Sequence, residues 1–150
     1  MFTIPTLVYS TVGLLSINML NGIIIGTSNT LQTIYYLLPQ NSSTLNKYKI
    51  QIESLDIDFK LQIITQWINK DHNKYTNDSP ETKTFNKIKD GIGESCIKIS
   101  NILDEINKEI AYHNTKYFSY YRSLDLNDLI NRLTHQCKIM NERIALINLI

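Results

Sequence analysis

Few residues in this 150-residue chain could carry chemistry: three histidines, two cysteines and the glycine pair of "DGIGES". Cys96 and Cys137 are too few and too poorly spaced for a disulfide scaffold or a zinc site, and both read as small apolar core residues. His72 lies in the polar stretch "NKDHNKYTNDSPETK" with no second ligand nearby, and reads as a solvated loop histidine. His113 falls on an apolar stripe, where a hydrogen-bonded core histidine that sets register is the plain reading and proton transfer or pH sensing the chemical one. If two helices fold back here, His135 comes level with Ala111 and suggests a metal pair with His113 and Glu109. Its place between Leu133 and Cys137 turns it to the opposite side, so the pair fails on direction. "DGIGES" follows no strand and lacks the lysine of a phosphate-cradling loop, which makes it a helix start. Asp104, Glu105 and Glu109 lie with Lys98 and Lys108 on a solvated face, where Glu94–Lys98 and Asp104–Lys108 are stabilising i,i+4 pairs. No nucleophile meets a base and no carboxylates converge, so the expectation is a protein without catalysis, cofactor or metal.

The elements that must position these residues are clearest at the C-terminal end. Ile92, Ile99, Ile106, His113 and Tyr120 recur every seven residues, and Cys96, Leu103, Ile110 and Tyr117 do so with an offset of four. After "RSLDLND" the steps of four and three resume through Leu126, Ile130, Leu133, Cys137, Met140, Ile144 and Ile147. That is the packing stripe of two helices, over 84–121 and 125–148, folded into an antiparallel heptad-patterned hairpin. Ser123 or Asp125 is placed to cap the second, and Asp128 suits its first turn. A turn centred near Ser123 puts Cys137 level with Glu109 or Ile110 and the two sulfurs about 20 Å apart. The cluster "YHNTKYFSYYR" makes Tyr117, Tyr120 and Tyr121, beside Arg122, a candidate partner surface, with a cap on the bundle end as the plainer alternative.

The middle is ambiguous. "YKIQIESLDIDFKLQII" alternates apolar and polar with one slip at Glu53-Ser54, a pattern that suits a half-buried strand. Ile50, Ile57, Leu61, Ile64 and Ile68 also share one helical seam, and Ile52, Leu55, Phe59 and Ile63 a second. No other region offers partner strands, so a helix from near Ser43 to Asn69 is expected, with Trp67 as a core or interface anchor.

The first 46 residues carry no charged side chain. Leu7 to Ile25 is apolar enough to suggest a bilayer span, with Tyr9 on one side and Tyr35 and Tyr36 on the other as interfacial aromatics. Asn18, Gly22, Gly26 and Thr30 form a small-or-polar stripe at i+4 spacing that would let another helix approach closely. Against a span, Asn18 and Asn21 fall near its middle, and Thr11, Ser28, Asn29 and Gln32 join them on one side, which equally suits a face turned towards protein. A secretory signal fits poorly, because no basic region opens the chain. Both shelters, lipid and polypeptide, stay open.

The expected fold is all-α: four long helices over roughly 5–38, 43–70, 84–121 and 125–148. An uncharged N-terminal helical unit, 1–40, precedes a bundle region, 41–150, that contains the hairpin 84–150. With 15 basic and 14 acidic residues the chain is nearly neutral, which disfavours nucleic acid as a partner. Abundant Ile and Asn with Ala only at Ala111 and Ala145 points to an AT-rich coding genome, viral, parasitic or low-GC microbial. The expected role is a structural or assembly subunit, virion protein included, that joins other chains in a homo- or hetero-oligomer by helix packing at a membrane or within a large complex. The alternative is a self-contained soluble helical-bundle regulator or adaptor.

Overall fold

The start of the longest helix is written in Ser79-Pro80-Glu81-Thr82. In the computed structural model, which describes residues 15–38, 43–115 and 124–150, the Ser79 hydroxyl accepts the Thr82 N–H at 3.2 Å. Proline takes the first helical position, where its missing N–H costs nothing, and Glu81 meets the positive end of the helix dipole. The helix therefore begins at Pro80, four residues before the expected start. "DGIGES" lies well inside it and begins nothing.

The described helices are α1 (Ile17–Leu37), α2 (Ser43–Glu53), α3 (Ile57–Asp71), α4 (Pro80–Thr115) and α5 (Asn127–Ala145), with 3-10 turns at His72–Lys74 and Leu146–Leu149. No strand occurs among the described residues. At 1.5 Å per residue α4 is about 54 Å long and forms the spine. Phe85, Ile92, Cys96, Ile99, Leu103, Ile106 and Ile110 are buried along it, each apolar side chain stabilising by about 1.5–3 kcal/mol. Leu126, Ile130, Leu133, Cys137 and Met140 face it from the α5 side, with Ile144 and Ile147 half-buried.

Three pairs of contacts fix the arrangement. The Leu15 N–H donates to Asp90 Oδ1 at 3.0 Å and the Thr30 hydroxyl lies 3.5 Å from Asp104, so α1 runs parallel to α4. Arg132 reaches Glu105 at 2.8 Å and Arg143 reaches Ser95 at 2.9 Å, so α5 runs antiparallel to α4. Ser28 and Gln32 both donate to Asp58, at 3.0 and 2.7 Å, which bridges α1 to the start of α3. With Arg132 opposite Glu105, Cys137 comes level with Ser100, about one helical turn from Cys96. The sulfurs are therefore closer along the axis than a turn centred at Ser123 implies, yet both thiols are free and buried.

The single helix expected from Ser43 to Asn69 is two. Asp56 takes a left-handed conformation, φ 52° and ψ 39°, one residue beyond the Ser54-Leu55 turn. The physical reason is the pair of seams: one straight helix would be apolar on two opposite sides, and the core can cover only one. The break lets α2 bury Tyr48 and Ile52 while α3 buries Ile57, Leu61, Ile64, Trp67 and Ile68. Ile50, Phe59 and Ile63 are left outside. The Tyr48 hydroxyl donates to the Leu124 carbonyl at 3.2 Å and ties α2 to the entry of α5. At the other end Phe85 stacks on Tyr75, with ring centroids 4.6 Å apart, and meets Trp67 at a tilt, 5.1 Å away.

The N-terminal helix also differs from the expected 5–38. Ser16 caps α1 by accepting the Met19 N–H at 3.1 Å, so Leu15 and Ser16 are not helical. The expected stretch before Leu15 and the expected hairpin connection lie outside the described residues.

Candidate helix-packing surface

α1 holds no charged residue in its 21 positions, and it divides its two sides between core and solvent. Leu20, Ile23, Ile24, Leu31 and Ile34 face inward and are buried. Thr27 joins them because its hydroxyl donates to the Ile23 carbonyl at 2.7 Å, leaving no unpaired polar atom. Of the stripe read from the sequence, Asn18 is exposed while Gly22, Gly26 and Thr30 are half-exposed. The stripe is not uniform. Thr30 is tied back to the Gly26 carbonyl at 3.0 Å and faces Asp104, whereas a Cβ added at Gly22 would meet nothing within 4 Å. The Gly22 end is open space among the described residues, and no described helix approaches there. Tyr117, Tyr120 and Tyr121 lie outside the described residues.

Gly93 is the residue that sequence reading missed. A Cβ there would stand 2.2 Å from Leu15 Cδ2, so α4 accepts Leu15 in this position because glycine leaves the space for its methyl. The glycines of "DGIGES" thus serve packing: Gly93 admits Leu15, and the Gly91 carbonyl accepts from Arg143. Arg143 also donates to Ser95 Oγ and approaches Glu94 at 3.5 Å, clamping the end of α5 to α4. The sequence signal for Gly93 was present, since a glycine inside a helical pattern marks a close approach.

The titratable groups are arranged for packing. Burial pushes the Cys96 thiol up to about 12 and the Cys137 thiol up to about 11, which makes both poor nucleophiles. Burial also raises the Asp104 and Asp90 carboxyls, opposed at Asp104 by Lys108 and Thr30 and at Asp90 by the Leu15 N–H and Lys89. Tyr35, half-buried near Asp58, is raised by burial first and by that carboxylate second. His72 is not the free loop residue expected: its Nδ1 lies 2.9 Å from the Ile68 carbonyl and closes the end of α3. His113 is half-buried in the last turn of α4. His135 is exposed and lines a groove of about 580 Å³ between α4 and α5 with Lys98, Asn101, Glu105, Arg132 and Gln136. Among the described residues no group of three His, Cys, Asp or Glu side chains is placed to hold a metal ion. Among them, too, no helix is long and apolar enough to cross a membrane.

Two further grooves border α1 and the C-terminus. One, of about 340 Å³, runs between α1 and α3 and is lined by Ile24, Ile25, Leu61, Gln62, Thr65 and Gln66 among others. The other, of about 360 Å³, lies between Ile88 and Gly91 of α4 and the C-terminal residues Leu146 and Leu149.

Comparison with known proteins gives one informative relative. No family model matches the chain, and no solved structure does. An uncharacterized protein of Acanthamoeba polyphaga mimivirus is 33% identical over 115 aligned positions, spanning 61% of this chain and 56% of that protein. The chain thus matches little more than half the length of this viral relative, to which its helical sequence is similar.

Proposed function

We propose that this chain is a non-catalytic structural or assembly subunit that engages other protein chains by helix packing, through the solvent side of α1. The observation that carries the reading is the open space over Gly22 on a helix with no charged residue. Solvent-facing helices ordinarily carry Lys, Glu and Arg, and an uncharged face without them suits contact with another polypeptide. Asn18, Gly22, Gly26 and Thr30 are the proposed contact residues, with Tyr117, Tyr120 and Tyr121 as a second contact. The viral relative and the AT-rich composition support a viral assembly role, and the groups buried for packing support the absence of catalysis.

Sedimentation of extracts from cells that make the chain tests this. It is expected to travel with other, cross-linkable proteins, faster than a single chain. Gly22→Leu, which fills open space without touching the chain's own core, is expected to release it. A chain that sediments alone with glycine in place refutes the proposal.

A second reading has its own support. α1 buries its apolar side within the chain, against α4 and α3, as a self-contained regulator or adaptor requires. Cooperative unfolding in buffer without detergent, with no companion proteins in the extract, favours that reading.

A further inference from the structure

The solvent side of α1 continues onto α3, and together they form a face unlike the rest of the molecule. Along α1 the outward residues are Asn18, Gly22, Ile25, Asn29, Gln32 and Tyr36, stepping four, three, four, three, four. That is the spacing of a second packing seam on the side opposite the core. Ile25 is 61% exposed and Tyr36 88%. On α3 the side away from the core presents Phe59, also 61% exposed, with Gln62, Ile63 and Gln66. The carboxylate at this face, Asp58, has one oxygen bonded to Ser28 and the other to Gln32. By contrast the solvent sides of α4 and α5 carry Lys87, Lys98, Lys108, Glu109, Arg132 and Lys138, all exposed.

We propose that the α1/α3 face pairs with the same face of a second copy of this chain, Phe59 of each entering the α1/α3 groove of the other. This rests on the docking reading and names its partner. Three observations favour a second copy. The face has a protruding aromatic and, beside it, a groove of about 340 Å³ floored by Ile24 and Leu61, so knob and hole belong to one patch. Two-fold pairing needs that self-complementarity, residue i meeting j and j meeting i. The exposed side chains are amides and apolar groups, and an amide both donates and accepts, so identical faces satisfy one another. The outward stripe of α1 carries no charged side chain, and Asp58, which lines the groove, is held by Ser28 and Gln32. Two such faces therefore meet with less like-charge repulsion than the α4/α5 side would bring, and an acidic or basic partner finds little to pair with.

The size sets the expectation. Two helices about 10 Å apart and some 22–31 Å long at 1.5 Å per residue offer roughly 500–600 Å² per copy. The total, roughly 1,000–1,200 Å², lies at the low end for a specific interface, so the pairing is expected to be weak and reversible.

Sedimentation velocity of the purified full chain from about 1 to 500 μM is expected to show a monomer–dimer shift across that range. Phe59→Lys, on an exposed side chain, should remain monomeric throughout with unchanged helical circular dichroism. Gln62→Cys, near the two-fold axis this pairing implies, should cross-link to itself under mild oxidation, while Lys138→Cys on α5 should not. A wild-type chain monomeric at all concentrations overturns the pairing, and so does a dimer that survives Phe59→Lys. Either result leaves the extract experiment on other chains to be decided separately.

Discussion

The same substitution at two glycines should have opposite effects, and the structure says by how much. Gly22 and Gly93 both sit inside helices, so replacing either with alanine gains about 1 kcal/mol of helix propensity. At Gly22 nothing lies within 4 Å of the new methyl, and Gly22→Ala should keep most of that gain. At Gly93 the methyl would stand 2.2 Å from Leu15 Cδ2 and 3.8 Å from Leu20 Cδ1. Leu15 is 1% exposed and its N–H is held by Asp90, so its side chain has little room to withdraw. Overpacking of this kind costs about 1–3 kcal/mol, which turns the gain into a net loss of up to about 2. Urea unfolding followed by far-ultraviolet circular dichroism should therefore separate the two variants by about 1–3 kcal/mol, with Gly93→Ala the weaker. The double-mutant cycle isolates the cause. Leu15→Ala alone should cost about 2–5 kcal/mol, and in that background Gly93→Ala should become neutral or favourable. If Gly93→Ala stabilises as much as Gly22→Ala, the docking of Leu15 on α4 would be falsified.

Asp104 gives a pH signature. Its folded carboxyl lies above the ordinary 3.8, so between the two values the folded chain holds an extra proton, and the contribution to stability falls as pH rises through that window. Asp104→Asn should therefore exceed the parent in stability at neutral pH, and the difference should shrink below pH 3.8, as urea midpoints across pH would record. Cys96 and Cys137 should resist a thiol reagent at pH 8 in buffer and react fully in denaturant, since burial holds both thiols protonated; rapid native labelling of either refutes their placement. Arg143→Met should cost about 1–3 kcal/mol by removing the donors to Gly91 and Ser95 from the end of α5, again read by urea unfolding. Asp56→Gly should stabilise by about 0.5–1 kcal/mol, because glycine adopts the left-handed conformation without a Cβ penalty; a loss would argue against that conformation.

Periodicity made the buried sides of α4 and α5 legible. Ile92, Ile99, Ile106, Cys96, Leu103 and Ile110, and Leu126, Ile130, Leu133, Cys137 and Met140, fall on the stripe that spacing alone defines and are buried. The helical class of the middle region was also legible, since no partner strand existed for it. What spacing could not supply was anything set by one backbone angle or one interhelix contact. Asp56 changes a single φ and thereby sends Phe59 and Ile63 outward, although the sequence shows only a slip at Glu53-Ser54. Helix register was misjudged because the residues of a turn do not state where opposing side chains will interlock. The start of α4 was readable and was missed: serine before proline is a helix opening.

The break at Asp56 also bears on why α1 can do without charge. A continuous α2–α3 helix would have to bury both its seams, and the second would need shelter inside the chain. With the break, Ile57, Leu61, Ile64 and Ile68 take the core and Phe59 and Ile63 join the uncharged side of α1 on one surface. Charge is unevenly placed: Lys, Arg, Asp and Glu stand on the solvent side of α4 and α5, while the outward stripe of α1 has none and Asp58 of α3 is held by Ser28 and Gln32. An exposed Phe59 or Ile25 alone would be ordinary. Ile25 lines the α1/α3 groove and Phe59 stands one turn from Gln62 of the same lining, so the proposed pairing of two bundles would shelter both at once.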